Sequence, residues 1–244
     1  MKKSLLIVSF FSLFLLGGCN GVVLTGNIVT KDYPLAPYTE LSVSSAFEVY
    51  VSSEASQMTI SADEALMPNV IVETEGDRLI IRLKPLCVNF NGDMKVTIPF
   101  NPDLQKVDLS GASEFHSDIP MNARKMELEL SGASDFYGSI FAEELDLDIS
   151  GASSAYLEGQ VGTLKIDLSG AGHIKEIVKG DRYALSCDNC TGSLSGASDA
   201  YIHCDGTLRL KLSGASDLYY TGNGDASGCT ATGASEIVHE TLVP

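Results

Sequence analysis

The residues best placed to do chemistry are the hydroxyls and carboxylates of a short element, LSGASD at Leu194–Asp199, that recurs down the chain. A serine in a sharp turn can act as a nucleophile, and an acidic neighbour as a base or a metal ligand. The copies begin at Ser110, Ser131, Ser150, Ser169, Ser195, Ser213 and Thr232, the fourth reading SGAG and the last TGAS. Seven equivalent hydroxyls argue against one distinguished nucleophile, and none is centred between the glycines of a nucleophile elbow. The serines suit hydrogen bonds to each other or to neighbouring carbonyls, and the glycine suits a bend or a close backbone approach. Continued alternation would carry Gly111, Ser113 and Phe115 inward, whereas a kink at the Gly-Ala step would bring Ala112 in instead.

The position after each copy holds Glu114, Asp135, Ser154, His173, Asp199, Asp217 and Glu236. Carboxylates stacked ~4.8 Å apart repel by ~0.9 kcal/mol in water, so the row must be solvated or neutralised by a cation. Ser154 and His173 interrupt it, which argues against one long calcium ladder and leaves Asp199 and Asp217 as a weak calcium pair. Two residues further on, Tyr137, Tyr156, Tyr201 and Tyr219 share one position. They form either a stripe that meets a glycan or protein, or a row capping the edge of the core.

Other chemistry is poorly supported. His116, His173, His203 and His239 lack zinc spacing. DLDISG at Asp146–Gly151 opens like a calcium loop, yet Leu157 stands where the bidentate Glu is required and the flanks read as strands. Cys187 and Cys190 (CDNC) lack the following helix that would activate a thiol, so pairing with Cys204 or Cys229 is their expected use. Cys87 reads as a lone buried thiol, and the odd count leaves one cysteine unpaired. A glycosidase needs acids converging on one groove, and no pair stands out.

The elements that carry these residues are short strands. Met126/Leu128/Leu130, Leu145/Leu147/Ile149, Leu164/Ile166/Leu168 and Leu208/Leu210/Leu212 alternate with polar residues ahead of their copies, as half-buried strands do. Successive copies are 21, 19, 19, 26, 18 and 19 residues apart. Such a unit cannot bury its apolar row alone, but stacking makes a continuous core. The pattern predicts an all-β fold, a right-handed parallel β-helix-like solenoid over residues 107–240; a prism or sandwich of repeated hairpins is the alternative. The spacing of 26 predicts an insertion at or near DRYALSCDNC that bulges from the stack. Residues 39–106 form an N-terminal strand-rich region of the same domain, with FEVYV, MTISA, NVIVET, RLIIRL and MKVTIPF as strands and DEALMPN as one helical turn.

Ahead of these lie residues 1–18, a signal peptide with Lys2, Lys3 and the apolar run LLIVSFFSLFLL. LGGC at Leu16–Cys19 resembles a lipobox, which implies cleavage before Cys19 and its acylation, with residues 19–38 as a tether. No later stretch is long and apolar enough to span a bilayer as a helix. The acyl chains make the membrane a partner, and the expected location is the cell envelope, as an exported outer-membrane lipoprotein. A net charge of −16, with no basic run, excludes nucleic acid as a partner.

Three segments in combination, GNIVTKDYPLAPYTELSVSSAFEVYVS, ISADEALMPNVIVETEGDRLIIRL and the LSGASD copies, resemble the auto-transporter adhesin head domain, or head GIN domain, of Bacteroidetes-type bacteria. The likeness spans about residues 25–240. It implies an exported, often lipid-anchored all-β protein with a β-helix-like body and brings no functional residues with it. An adhesion or interaction module with no cofactor beyond weak calcium is therefore expected. A carbohydrate-active enzyme and a purely structural envelope module are the alternatives.

Overall fold

The computed structural model describes residues 22–85, 94–175 and 184–241; the signal peptide, Cys19 and Cys87 lie outside the described residues. The described chain is all-β apart from a single 3-10 turn at Met67–Asn69, where Pro68 occupies a position that needs no amide donor. Seventeen strands form one sheet. The first seven are β1 (Ile28–Tyr33), β2 (Glu40–Val43), β3 (Glu48–Ser52), β4 (Met58–Asp63), β5 (Val70–Glu75), β6 (Arg78–Leu83) and β7 (Lys95–Pro99). The remainder are β8 (Lys106–Leu109), β9 (Glu114–Leu130), β10 (Asp135–Ile149), β11 (Ser154–Leu168), β12 (His173–Lys175), β13 (Leu185–Leu194), β14 (Asp199–Leu212), β15 (Asp217–Thr221), β16 (Thr230–Ala231) and β17 (Glu236–His239).

From β8 onward every pairing is parallel, and each residue faces its counterpart in the next copy of the element. Leu109, Leu130, Ile149, Leu168, Leu194 and Leu212 are joined in this way, and all are buried. Phe115, Phe136, Ala155, Ile174, Ala200 and Leu218 make a second buried row. The rows exist because alternation with period two puts one face of every strand inward, while the copy spacing brings like residues together. The hairpin alternative required antiparallel pairs within each copy. Antiparallel pairs occur instead at β1–β4, β4–β7 and β5–β6.

The sheet crosses from the N-terminal strands into the copies without a break. Val43 pairs with Leu109, and Glu48, Val49 and Tyr50 pair with Glu114, Phe115 and His116. SSAFEVY at Ser44–Tyr50 therefore lies in register with SGASEFH at Ser110–His116 as a degenerate further copy. Ser45 takes the glycine's place and, like Ala46, has positive φ (75° and 64°), a conformation that costs a residue with a Cβ about 1–2 kcal/mol. On the far side of this rung β6 and β7 cover β2 and β3. The buried Asp63 ties the start of the described chain to this region. Burial works to raise its pKa, but hydrogen bonds from the amides of Ala65, Thr25 and Gly26 and from the Thr25 hydroxyl hold it below the usual range.

The expected insertion at or near DRYALSCDNC falls at the start of that segment and just before it, and residues 176–183 lie outside the described residues. Leu185–Leu194 is strand, with a register shift between Cys187 and Asn189, so Cys187 and Cys190 sit inside the ladder. Tyr156 pairs with Lys175 and Gly159 with Leu185, so the seven residues that distinguish a spacing of 26 from 19 fall between Lys175 and Leu185. Sequence alternation shared between Leu185 and Leu194 was masked by the mixture of Cys, Asn and Thr there.

Between strands, each SGAS segment turns a corner. Gly111 and Ala112 are both exposed while Ser113 and Phe115 are buried, so neither simple alternation nor an inward alanine describes it. The glycines from Gly132 to Gly233 at this position all have φ between 72° and 85°. A Cβ on any of them would lie 2.3–2.7 Å from the carbonyl oxygen of the glycine one copy earlier. That same oxygen accepts a bond from the next alanine amide, as in Ala152 N to Gly132 O at 2.7 Å. Gly151→Ala is expected to cost about 3 kcal/mol or more in urea unfolding, because conformation and space both oppose the methyl group. Gly76→Ala, at φ +61° with open space around it, is the control and is expected to cost about 1 kcal/mol.

Candidate functional site

The closing serines Ser113, Ser134, Ser153, Ser198 and Ser216 are buried, and their hydroxyls serve the fold. Ser113, Ser134, Ser198 and Ser216 donate to the carbonyls of Ser110, Ser131, Ser195 and Ser213 at 2.8–3.0 Å. Ser216 Oγ also accepts the Ser198 amide at 3.4 Å, and Ser153 Oγ and Ser235 Oγ accept the amides of Ser134 and Ser216 at 3.1 Å. A buried hydroxyl with both roles filled is a structural strut rather than a nucleophile.

What faces solvent is the polar edge of the first half of each strand. One column runs Glu48, Glu114, Asp135, Ser154, His173, Asp199, Asp217, Glu236 in strict register, all at least partly exposed except the buried Ser154. Beside it runs an aromatic column. Tyr50 stacks on His116 (4.8 Å between ring centroids), His116 on Tyr137 (4.6 Å), and Tyr137 on Tyr156 (4.4 Å), all within 9° of parallel. Lys95 lies over the outer face of Tyr50 at 4.1 Å and Lys175 beside Tyr156 at 5.7 Å. Beyond Lys175 come Tyr201 and Tyr219, stacked at 4.8 Å. The four tyrosines of the sequence pattern are thus brought onto one column in two pairs. Tyr50 and His116 extend it; only the register of the parallel sheet places them there.

Ladder spacing imposes face-to-face stacking, so ring faces are covered and the column offers edges and hydroxyls. Every ring is half-buried. Burial pushes the Tyr137 phenol well above its usual pKa, with Asp135, Tyr156 and Glu114 adding to the effect. Burial and the Glu114 carboxylate also raise Asp135.

The two outer strand halves treat their carboxylates differently. On the second half, Glu127, Glu129, Asp146, Asp167 and Asp108 are matched by Lys125, Lys106, Lys165 and Arg78. Among the described residues, no carboxylate of the aromatic face has a Lys or Arg ion-pair partner. Glu114 lies 3.1 Å from His116 Nε2, and Asp199 3.4 Å from His173 Nδ1. Asp199 and Asp217 are directly paired, but Asp217 already accepts the Glu236 amide at 3.0 Å. The described residues hold no group of three or more potential metal ligands.

Two further clusters emerge from the register. His203 Nδ1 is 2.9 Å from the Thr221 hydroxyl and its Nε2 is 3.2 Å from Asp205. This resembles a nucleophile–base–acid row, but Thr221 is 1% exposed and cannot meet a substrate. Asp205 is held low by the Asn223 amide and His203, and the row pins the turn after β15. The four described cysteines are thiols. Cys187 faces Cys204 across β13 and β14, whereas Cys190 faces Leu208 and Cys229 accepts the Leu210 amide at 3.4 Å.

A chain with these ladders has known counterparts. Residues 37–224 match the family described as "Putative auto-transporter adhesin, head GIN domain", and the chain belongs to that family. Its fold is that of a "putative adhesin" from Bacteroides fragilis, with a TM-score of 0.75 at 16% identity over 88% of this chain and 98% of that one. A "putative adhesin" from Parabacteroides merdae gives 0.65 at 16% identity over 89% and 98%, respectively. A "putative lipid binding protein" from Parabacteroides distasonis gives 0.67 at 18% over 89% and 98%. No curated protein matches the chain.

His173 makes the electrostatics of the face measurable. Burial, then the Lys175 charge, lower its pKa, against a smaller opposing pull from Asp199. The folded state therefore holds neutral imidazole. Its contribution to stability is present above the unfolded value of about 6.5 and is lost as pH falls through the lower folded value. NMR titration is expected to place His173 below 6.5, with Lys175→Met moving it upward and Asp199→Asn moving it further down. A titration at or above the free-histidine value would contradict this.

Proposed function

We propose that the protein is a lipid-anchored interaction module of the cell envelope that meets its partner through the aromatic and acidic face. The supporting observation is the contrast between the two outer strand halves: five carboxylates of the second half are ion-paired with Lys or Arg, whereas among the described residues those of the aromatic face have no such ion pair. A surface that is acidic, regular and rigid recognises an elongated partner rich in positive charge or hydrogen-bond donors. Because the ring faces are covered by one another, the tyrosines contribute edges and hydroxyls rather than platforms for sugar stacking. This favours a protein surface, or a glycan held by its hydroxyls, over stacking recognition.

In the same reading Cys19 carries the acyl chains, residues 19–38 form the tether, and the parallel stack is a right-handed β-helix that holds the face away from the outer membrane. The adhesin-like family supports an exported envelope or surface location. Enzymatic turnover has less support, since the recurring serines are committed to backbone carbonyls.

Binding of the purified protein to matrix proteins, glycan arrays and envelope fractions is the test. The double variant Asp135→Lys with Tyr137→Ser is expected to bind at least ~10-fold more weakly, and wild-type binding to fall as salt rises. Gly76→Ala serves as a folded control. Unaltered binding by the double variant would remove the face from the reading. Cys19→Ala is expected to move the chain from the membrane pellet to the soluble fraction; retention in the pellet would refute the anchor.

A further inference from the structure

We infer that Cys187 and Cys204 are joined by a disulfide when the chain folds in an oxidising setting, stapling β13 to β14 beside the insertion. Of the four described cysteines, these two stand directly opposite in adjacent parallel strands, and both are buried against the same core. Neighbouring strands place paired Cα atoms ~4.8 Å apart, inside the range a disulfide spans. The two thiols are near enough for each to perturb the other's ionisation, and Cys190 does the same to Cys187. Cys190 and Cys229 have no cysteine opposite them across the ladder, so register selects one cross-strand pair from the several that composition allows.

The location gives the bond a purpose. Seven additional residues separate the Tyr156–Lys175 pairing from the Gly159–Leu185 pairing, just ahead of this rung. A staple across Cys187 and Cys204 keeps β13 and β14 in register directly after that insertion. The oxidant is an external disulfide such as oxidised glutathione. One protein thiolate attacks it and releases one glutathione thiol. The second protein thiolate then displaces the other, so two electrons and two protons leave the protein pair and two glutathione thiols are formed. A neighbouring thiol (Cys190 for Cys187, Cys187 for Cys204) and then burial raise the pKa of both thiols in the folded state, so the bond forms during folding, before the pair is enclosed.

The proposal rests on the exported location only for its occurrence in the cell; the chemistry is tested in vitro. The full chain in detergent is refolded in a reduced/oxidised glutathione buffer, alkylated, digested and mapped by mass spectrometry. A Cys187–Cys204 linked peptide is expected in wild type, Cys190→Ser and Cys229→Ser, and is absent from Cys187→Ser and Cys204→Ser. The oxidised wild type is expected to melt roughly 5 °C or more above its reduced form, a difference that Cys204→Ser abolishes. Complete alkylation of Cys187 and Cys204, or a Cys187–Cys190 link as the main product, overturns the assignment. A bond that forms in vitro but is missing from protein isolated from the envelope would overturn its occurrence in the cell, while recovery of the protein only from the cytoplasm would refute the exported location.

Discussion

The structure depends on one contact repeated at every corner: a glycine backbone lying directly on the glycine one copy earlier. Positive φ turns the chain, and the missing Cβ lets the next alanine amide reach the glycine carbonyl at 2.7–2.8 Å. The closing serine then faces inward and bonds the carbonyl of its own copy, which sets the direction of the outgoing strand. Parallel register, the buried leucine and phenylalanine rows and the columns of the outer face all follow from that approach distance. Side-chain burial stabilises the stack, but the corner decides which residues are stacked on which.

That constraint also explains the character of the outer face. In a parallel in-register ladder every side chain sits above its homologue, so like is placed on like. Rings gain by this, since stacked aromatics attract. Carboxylates lose by it, and the second strand half offsets the loss with lysines from neighbouring columns. On the aromatic face the column is broken by Ser154 and His173 and partly screened by histidines. A face that keeps carboxylates without a direct Lys or Arg ion pair holds charge available to a partner, which is the physical reason to look there for one.

Much of this was legible in the chain. Alternating Leu and Ile ahead of each copy marked the buried rows, and constant spacing brought Tyr137 to Tyr156 and Tyr201 to Tyr219. The rung at Ser44–Tyr50 was not legible, because Ser45 adopts the glycine conformation, Phe47 replaces the closing serine, and three antiparallel pairings intervene before Ser110. His116 escaped notice in the aromatic column because position, not residue type, puts it there. The partnership of Cys187 with Cys204 was hidden by a local irregularity that makes their separation 17 where the neighbouring copies differ by 18. Thr221 meets His203, which already neighbours Asp205 on the same strand, only through the pairing of β14 with β15.

Since each corner rests on an identical corner, the molecule's length is a free variable in its architecture. Removing one copy, Ser131 to Ile149 for example, would leave Gly151 facing Gly111, a glycine facing a glycine as before. The protein would become one strand spacing shorter, with the same kind of contact on both sides of the cut. Reach is thereby separated from stability: the distance over which the face extends can be set by duplication or loss of whole units, without a new core having to be invented each time.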